Sequence, residues 1–144
     1  MKAEFAFFCS RGTVGRTVRD HVDAVGAGMD VIVAPQFPHP SQVLNVALRI
    51  CGTAADDGDH RLHARILDSN GKDIYPATHS HIDLRLGRDI YLDRACGAAV
   101  VDLGTVGGLA YPGPGEYHVL LTVDESDDVL VDLPLYLVER RRGS

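Results

Sequence analysis

The residues best suited to chemistry in this sequence are histidines, and three of them carry a suggestive spacing. His79 and His81 are separated by one residue, and His118 follows later in the chain. In a β-strand, residues i and i+2 project from the same face, so two imidazoles at this spacing can bind one metal ion. The pattern makes His79, His81 and His118 the candidate metal ligands.

The His79-Ser80-His81 segment is similar to the first metal motif of cupin barrels, in which a Glu and a further His complete the site. Here the first acid after His81 is Asp83, and the run 112–115 does not have the proline and glycine spacing of the second cupin motif. A small metal-dependent cupin-like enzyme is therefore kept as an alternative interpretation, while the main interpretation has no cofactor.

The other reactive side chains lack the neighbours that catalysis requires. No Ser lies in a Gly-x-Ser-x-Gly elbow. The segment 11–16 (Arg-Gly-Thr-Val-Gly-Arg) lacks the Gly-Lys-Ser/Thr of a P-loop, and we expect it to be a hairpin loop. The acidic run 56–59 lacks the twelve-residue EF-hand spacing and is typical of a solvated turn. We predict no catalytic residues.

The three cysteines, Cys9, Cys51 and Cys96, lie within or beside apolar runs and form no Cys-x-x-Cys motif. An odd number of cysteines without a secretory signal is typical of reduced, buried thiols. We therefore expect a cytoplasmic protein with three free cysteines.

The charge balance argues against two classes of partner. The formal net charge is −6, which repels phosphate backbones, so we predict no nucleic-acid binding. No apolar run approaches the 18 or so residues of a membrane helix, so we predict no membrane span. The basic cluster at 140–142 has three charges, fewer than lipid recognition uses, and residues 140–144 are predicted to be a disordered tail.

Short alternating runs dominate the rest of the chain. Leu44, Val46, Leu48 and Ile50 alternate with more polar residues, which is typical of a strand with one wet face. Similar runs recur at roughly ten-residue spacing between Gly, Pro, Asn and Asp turns, giving about eight to ten strands. We predict an all-β domain over residues 1–139: a two-layer β-sandwich, immunoglobulin-like or Greek-key, or alternatively a small β-barrel.

Three segments together resemble a family of short bacterial proteins known only as a domain of unknown function. They are the opening strand 2–9, the run 31–38 (Val-Ile-Val-Ala-Pro-Gln-Phe-Pro) and the ending from Pro114 to Val138. The resemblance covers most of the chain and implies an all-β bacterial domain. It carries no catalytic residues.

The segment from Leu109 to Tyr117 resembles the tyrosine corner of immunoglobulin-like sandwiches. In that corner, a Tyr near the start of a late strand bonds to the backbone a few residues upstream. The resemblance gives Tyr117 a structural role. The chain has no Trp, so the tryptophan of antibody domains is absent.

The proline-rich segment 35–40 is the candidate interaction site. Prolines stiffen it, and a stiff loop loses little entropy when it docks on a partner. The alternative is a crossover in which Phe37 plugs one end of the core. The interaction residues are Pro35, Gln36, Phe37, Pro38 and Pro40.

The sequence thus predicts a non-enzymatic interaction or accessory module whose partner is itself or another protein. A β-sandwich has open edges that must be covered or paired, which favours self-association. A module that binds a small ligand or carbohydrate is a further alternative, although aromatic residues make up only 6% of the chain.

Overall fold

The structure is a computed structural model that describes residues 1–15, 21–40, 43–76, 81–104 and 108–141. The all-β prediction is confirmed, since the described residues contain twelve strands, one 3₁₀ turn (Ala54–Asp56) and no α-helix. The strands are β1 (Lys2–Cys9), β2 (Arg11–Val14), β3 (Val22–Val25), β4 (Val31–Ala34), β5 (His39–Pro40), β6 (Asn45–Thr53), β7 (Gly58–Leu67), β8 (His81–Asp89), β9 (Arg94–Asp102), β10 (Ala110–Tyr111), β11 (Gly115–Val123) and β12 (Val131–Glu139).

Eight strands form one large, curled sheet in the order β1-β6-β9-β8-β7-β11-β12-β4. Neighbouring strands within this sheet are antiparallel, except for β12 and β4, which run parallel. The remaining strands form two ribbons, β2–β3 and β5–β10. The chain contains more strands than predicted because it also uses pieces of two to four residues.

The sheet turns a corner along β8. Residues 81–86 of β8 pair with β7, whereas residues 87–89 pair with β9. Gly97 of β9 lies under this corner, where a Cβ atom would overlap the carbonyl oxygen of Arg85. A strand glycine permits such a close backbone approach. The two halves of the sheet therefore join through one shared strand.

Aliphatic residues at alternate positions build the core. Leu44, Val46, Leu48 and Ile50 are all buried, as their alternation predicts. The inward positions of β7, β11 and β12 meet them in one cluster. Each fully buried side chain of this size contributes roughly 1.5–3 kcal/mol through removal of apolar surface from water.

The opposite face of β6, predicted to be wet, is instead largely covered. Ala47 and Cys51 on that face are buried. The β2–β3 ribbon lies against β6 and β9, and Gly12 approaches Val100 so closely that a Cβ atom would lie 3.1 Å from it. The prediction of a hairpin loop over residues 11–16 is therefore wrong for residues 11–14. This segment forms β2 and covers the second face of the sheet.

The prediction of three reduced cysteines is wrong for two of them. Cys51 and Cys96 lie opposite each other on β6 and β9 and form a disulfide, while Cys9 is free and buried. The two cysteines are distant in sequence, and only the strand pairing brings them together. A disulfide is typical of oxidising compartments. The cytoplasmic location stays a prediction, against which this bond counts.

The first edge strand of the sheet, β1, is irregular. Its register against β6 shifts between Ala3 and Phe5, so Glu4 is an extra residue in the ladder. Lys2 and Glu4 are exposed. The bulge and the charges interrupt the flat edge that another strand would need for pairing.

Candidate interaction site

The opposite edge of the sheet carries an apolar surface. Val31 of β4 lies beside Tyr136 of β12, and Val33 lies beside Val138. Their exposed fractions are 47% for Val31, 56% for Val33, 38% for Tyr136 and 41% for Val138. We call these four residues the edge strip. They form a contiguous outward-facing patch, because alternate residues of paired strands share one face.

The backbone of β4 has an open side next to the edge strip. The Tyr136 N–H donates to the Asp30 carbonyl, and the Arg140 N–H donates to the Ala34 carbonyl, both at 2.7 Å. Backbone groups alternate in direction along a strand, so those of Val31 and Val33 point away from β12. Within the described ranges, neither residue has a hydrogen bond on that side. Two N–H and two C=O groups are thus available for pairing.

A second apolar surface lies at the turn between β8 and β9. Ile90, Tyr91 and Leu92 are consecutive and are 78%, 89% and 62% exposed. We call them the apolar tip. The Asp89 carboxylate accepts hydrogen bonds from the backbone N–H groups of Tyr91 (2.9 Å) and Leu92 (3.3 Å). These bonds fix the backbone of the turn that carries the apolar side chains.

Charged residues on both sides of the apolar tip pair with each other. Arg94 approaches Asp89 at 3.6 Å, and Arg88 approaches Asp93 at the same distance. The hydrogen bond from the Tyr91 N–H lowers the pKa of Asp89, with help from the Leu92 N–H and Arg94. The tip therefore presents apolar side chains above a base of paired charges.

The proline-rich segment 35–40 lies directly after β4. Pro35, Gln36, Pro38 and Pro40 are exposed, whereas Phe37 is half-buried and packs against the core. At the end of the segment, β5 pairs with β10. The Phe37 side chain therefore contacts the core, as the crossover interpretation expects, and docking through this loop stays a prediction.

The predicted metal ligands are not brought together where the structure describes them. His79 lies outside the described residues. His81 is opposite His63, and their ring centres are 6.4 Å apart. His118 lies opposite Leu67, which is four residues further along β7 than His63. At the rise of a strand, this offset places His118 about 13 Å along the sheet from the His63–His81 pair. Across the described chain, no group of three or more His, Cys, Asp or Glu side chains is placed to hold a metal.

His118 is bound to carboxylates instead. Its Nδ1 lies 2.6 Å from an Asp132 oxygen, and its Nε2 lies 3.2 Å from Glu116. The hydrogen bond with Asp132 raises the pKa of His118, and Glu116 adds to this effect. Both partners are acceptors, so they favour the charged form of the ring and occupy both of its nitrogens, the atoms that a metal would need.

His60 has a similar environment at the end of the core. Its Nδ1 lies 2.6 Å from an Asp124 carboxylate oxygen, and its Nε2 lies 2.5 Å from the Asp56 carbonyl. Burial opposes the charged form, but the hydrogen bonds with Asp124 and Asp56 outweigh it and raise the pKa of His60. Because Nε2 is engaged by the backbone, this His–Asp pair lacks the free nitrogen that a general base needs.

Tyr117 makes the backbone contact characteristic of a tyrosine corner. Its hydroxyl donates to the Gly113 carbonyl at 2.7 Å, four residues upstream. The ring packs edge-on against Tyr111, with ring centres 5.3 Å apart. Burial raises the pKa of Tyr111 to about 12. The two tyrosines fix the loop that leads into β11.

Comparison with known protein families identifies the family of the chain. Residues 4–138 match a family described as a family of unknown function, DUF6941. The chain belongs to this family. No curated protein matches it significantly. In the described part of this DUF6941 protein, no helix is long and apolar enough to cross a membrane.

The sequence interpretation missed both apolar surfaces of this DUF6941 protein. The signal for the apolar tip is present, since Ile90, Tyr91 and Leu92 form an apolar triplet between Asp89 and Asp93. The signal for the edge strip is weaker. Residues 31–34 are all apolar, so the pattern does not distinguish the inward pair from the outward pair.

Proposed function

We propose that this protein is a non-enzymatic interaction module that associates with a second copy of itself through the edge strip. The observation that carries the proposal is the position of four exposed apolar side chains beside an open strand edge. Exposed, flat, apolar edges promote pairing with other chains, and folded proteins usually block or cover them. Association along this edge pairs the open backbone groups and brings the apolar side chains of two copies side by side.

The contrast between the two edges of the sheet supports this choice. The β1 edge has a bulge and the charged residues Lys2 and Glu4. The β4 edge has the exposed side chains of Val31 and Val33, and none of the four residues of the strand is charged. The β4 edge therefore combines open backbone groups with exposed apolar side chains and has no bulge in its pairing with β12.

For the fold, we propose an immunoglobulin-like sandwich. One layer would be β1-β6-β9-β8 and the other β7-β11-β12-β4, with β8 shared at the corner. The bond from Tyr117 to Gly113 supports this assignment, because it has the geometry of a tyrosine corner at the start of a late strand. In this arrangement, β4 and β12 form the outer border of the second layer.

Sedimentation velocity over a range of protein concentrations tests the function. The natural protein is expected to form dimers as its concentration rises, and Val33→Lys is expected to shift it to monomer, because a charge on an edge strand opposes pairing with another chain. Val33 is an exposed residue of β4, so the substitution leaves the core unchanged. Val129→Lys, at a similarly exposed position outside the strands, is the matched control and should still dimerise. A natural protein that stays monomeric at high concentration would refute the proposal.

A further inference from the structure

We infer that two copies pair through β4 in antiparallel orientation, about a two-fold axis at Ile32, to form one continuous sheet. The inference rests on the proposed function and specifies its geometry. The occupant of the open edge is the β4 strand of a second copy. Val31 of each copy lies opposite Val33 of the other.

The direction of the backbone groups determines this register. The carbonyls of Asp30 and Ala34 bond to β12, so by alternation Val31 and Val33 direct their N–H and C=O groups outward. In an antiparallel pair, two directly opposed residues can exchange both of their hydrogen bonds. Val31 of each copy then lies opposite Val33 of the other, so the dimer contains this residue pair twice. The two pairs make four hydrogen bonds, which use the N–H and C=O groups of Val31 and Val33 in both copies.

The side chains are also complementary under this symmetry. Met29, Val31, Val33 and Pro35 alternate along the segment, and all four are exposed. The two-fold axis at Ile32 pairs Met29 with Pro35 and Val31 with Val33, so every position places an apolar side chain against another. Pro35 has no N–H group and ends the ladder at this point. The run Val31-Ile32-Val33 reads the same in both directions, and exposed apolar residues flank it on both sides, which favours a second copy as the occupant.

The pairing also joins the two edge strips. Tyr136 and Val138 lie beside Val31 and Val33 on the same face, so the dimer has eight of these side chains in one continuous patch. A ladder of four residues buries a small area, which is typical of weak, concentration-dependent association. We therefore expect dissociation in the micromolar range.

Cross-linking between single-cysteine variants tests the register. Val31→Cys and Val33→Cys are prepared separately with tags of different size, mixed, and oxidised mildly. Opposed residues of an antiparallel pair have Cα atoms about 5.5 Å apart, within the range of a disulfide, whereas two copies of the same position are offset along the strands. The native cysteines do not interfere, since Cys9 is buried and the other two are bonded.

The mixture is expected to give a mixed cross-linked dimer several-fold more abundant than the dimer of either variant alone. Equal yields in all three samples, or cross-links mainly within one variant, would overturn the proposed register.

A backbone substitution tests whether β4 pairs at all. Val33→Pro removes the outward N–H without breaking a hydrogen bond to β12, and edge strands accept proline at such positions. Val33→Thr keeps the N–H and the branched shape and serves as the control. Val33→Pro should weaken dimerisation several-fold more than Val33→Thr, with both variants showing cooperative thermal unfolding.

The outcomes separate the inference from the proposed function. If the natural protein dimerises, Val33→Lys abolishes the dimer, and Val33→Pro dimerises as well as Val33→Thr, the edge strip binds face to face. The β4 pairing is then wrong while the proposed function stands. If the natural protein is monomeric, both are wrong. If Val33→Pro alone fails to fold, the cross-linking yields decide.

Discussion

Gly97 of β9 lies directly against the carbonyl oxygen of Arg85 in β8, with no space for a side chain between them. This contact marks the residue pair at which β8 changes its partner from β7 to β9. A bulkier residue at position 97 would force the two backbones apart. The corner in turn sets the positions of the strands that lead to the β4 edge.

Gly97→Ala should therefore destabilise the protein. Overpacking of a closely packed site costs typically about 1–3 kcal/mol. Gly87→Ala is the matched control, since Gly87 is exposed and a Cβ atom there would have its nearest neighbour 4.0 Å away. Chemical denaturation of both variants measures the effect. Equal stability of the two variants would show that the approach of β8 to β9 does not depend on Gly97.

The Cys51–Cys96 disulfide should contribute to stability. It links two residues 45 positions apart, and the loss of a bond that closes such a loop costs about 2–4 kcal/mol in the unfolded-chain entropy model. Dithiothreitol should lower the melting temperature of the natural protein. It should leave the melting temperature of the Cys51→Ala/Cys96→Ala variant unchanged. An unchanged melting temperature of the natural protein in reductant would contradict the prediction.

The charged form of His60 should make stability depend on pH. The pKa of His60 is raised in the folded state, so its contribution is full below the pKa of the unfolded chain, about 6.5, and is lost as pH rises through the folded value. His118 shifts in the same direction. The free energy of unfolding should fall as the pH rises above about 6.5, where the unfolded histidine has lost its proton.

His60→Gln tests the contribution of His60 to this pH dependence. The substitution should cost on the order of 1 kcal/mol at mildly acidic pH, the value of a typical hydrogen bond, and less at alkaline pH. His81→Gln is the control, because His81 is exposed and the described residues give it only a ring contact with His63. Parallel pH profiles for H60Q and the natural protein would show that His60 is not charged.

Asp89 should maintain the conformation of the apolar tip. In Asp89→Ala, the N–H groups of Tyr91 and Leu92 lose their acceptor, so their exchange with solvent should become faster than in the natural protein. Amide exchange measured by NMR detects this change. Asp83→Ala, at an exposed acid of the same strand, should leave both amides unchanged. Unchanged exchange in D89A would show that the carboxylate does not hold the turn.

The alternation of Leu44, Val46, Leu48 and Ile50 was sufficient to predict a buried strand face, because a period of two has only one physical interpretation. The same pattern did not reveal what covers the other face of β6. That depends on where the β2–β3 ribbon packs, and the contact of Gly12 with Val100 joins residues far apart in sequence. Local patterns predicted the strands but not the layer above them.

The candidate site was harder to predict for a similar reason. Val31 and Ile32 are neighbours of nearly equal hydrophobicity, yet one is exposed and the other is buried. The difference arises because β4 pairs with β12, about one hundred residues later, and on one side only. The Cys51–Cys96 bond shows the same limit, since it depends on the register of β6 against β9.

The bulge in β1 would limit the size of the proposed assembly. Joining two copies through β4 leaves β1 at both ends of the combined sheet. If β1 were flat and apolar, further copies could add at each end and the assembly would grow into a fibre. The extra residue Glu4 and the exposed charge of Lys2 oppose that growth. The proposed assembly is therefore a closed pair, with the symmetry that stops at two.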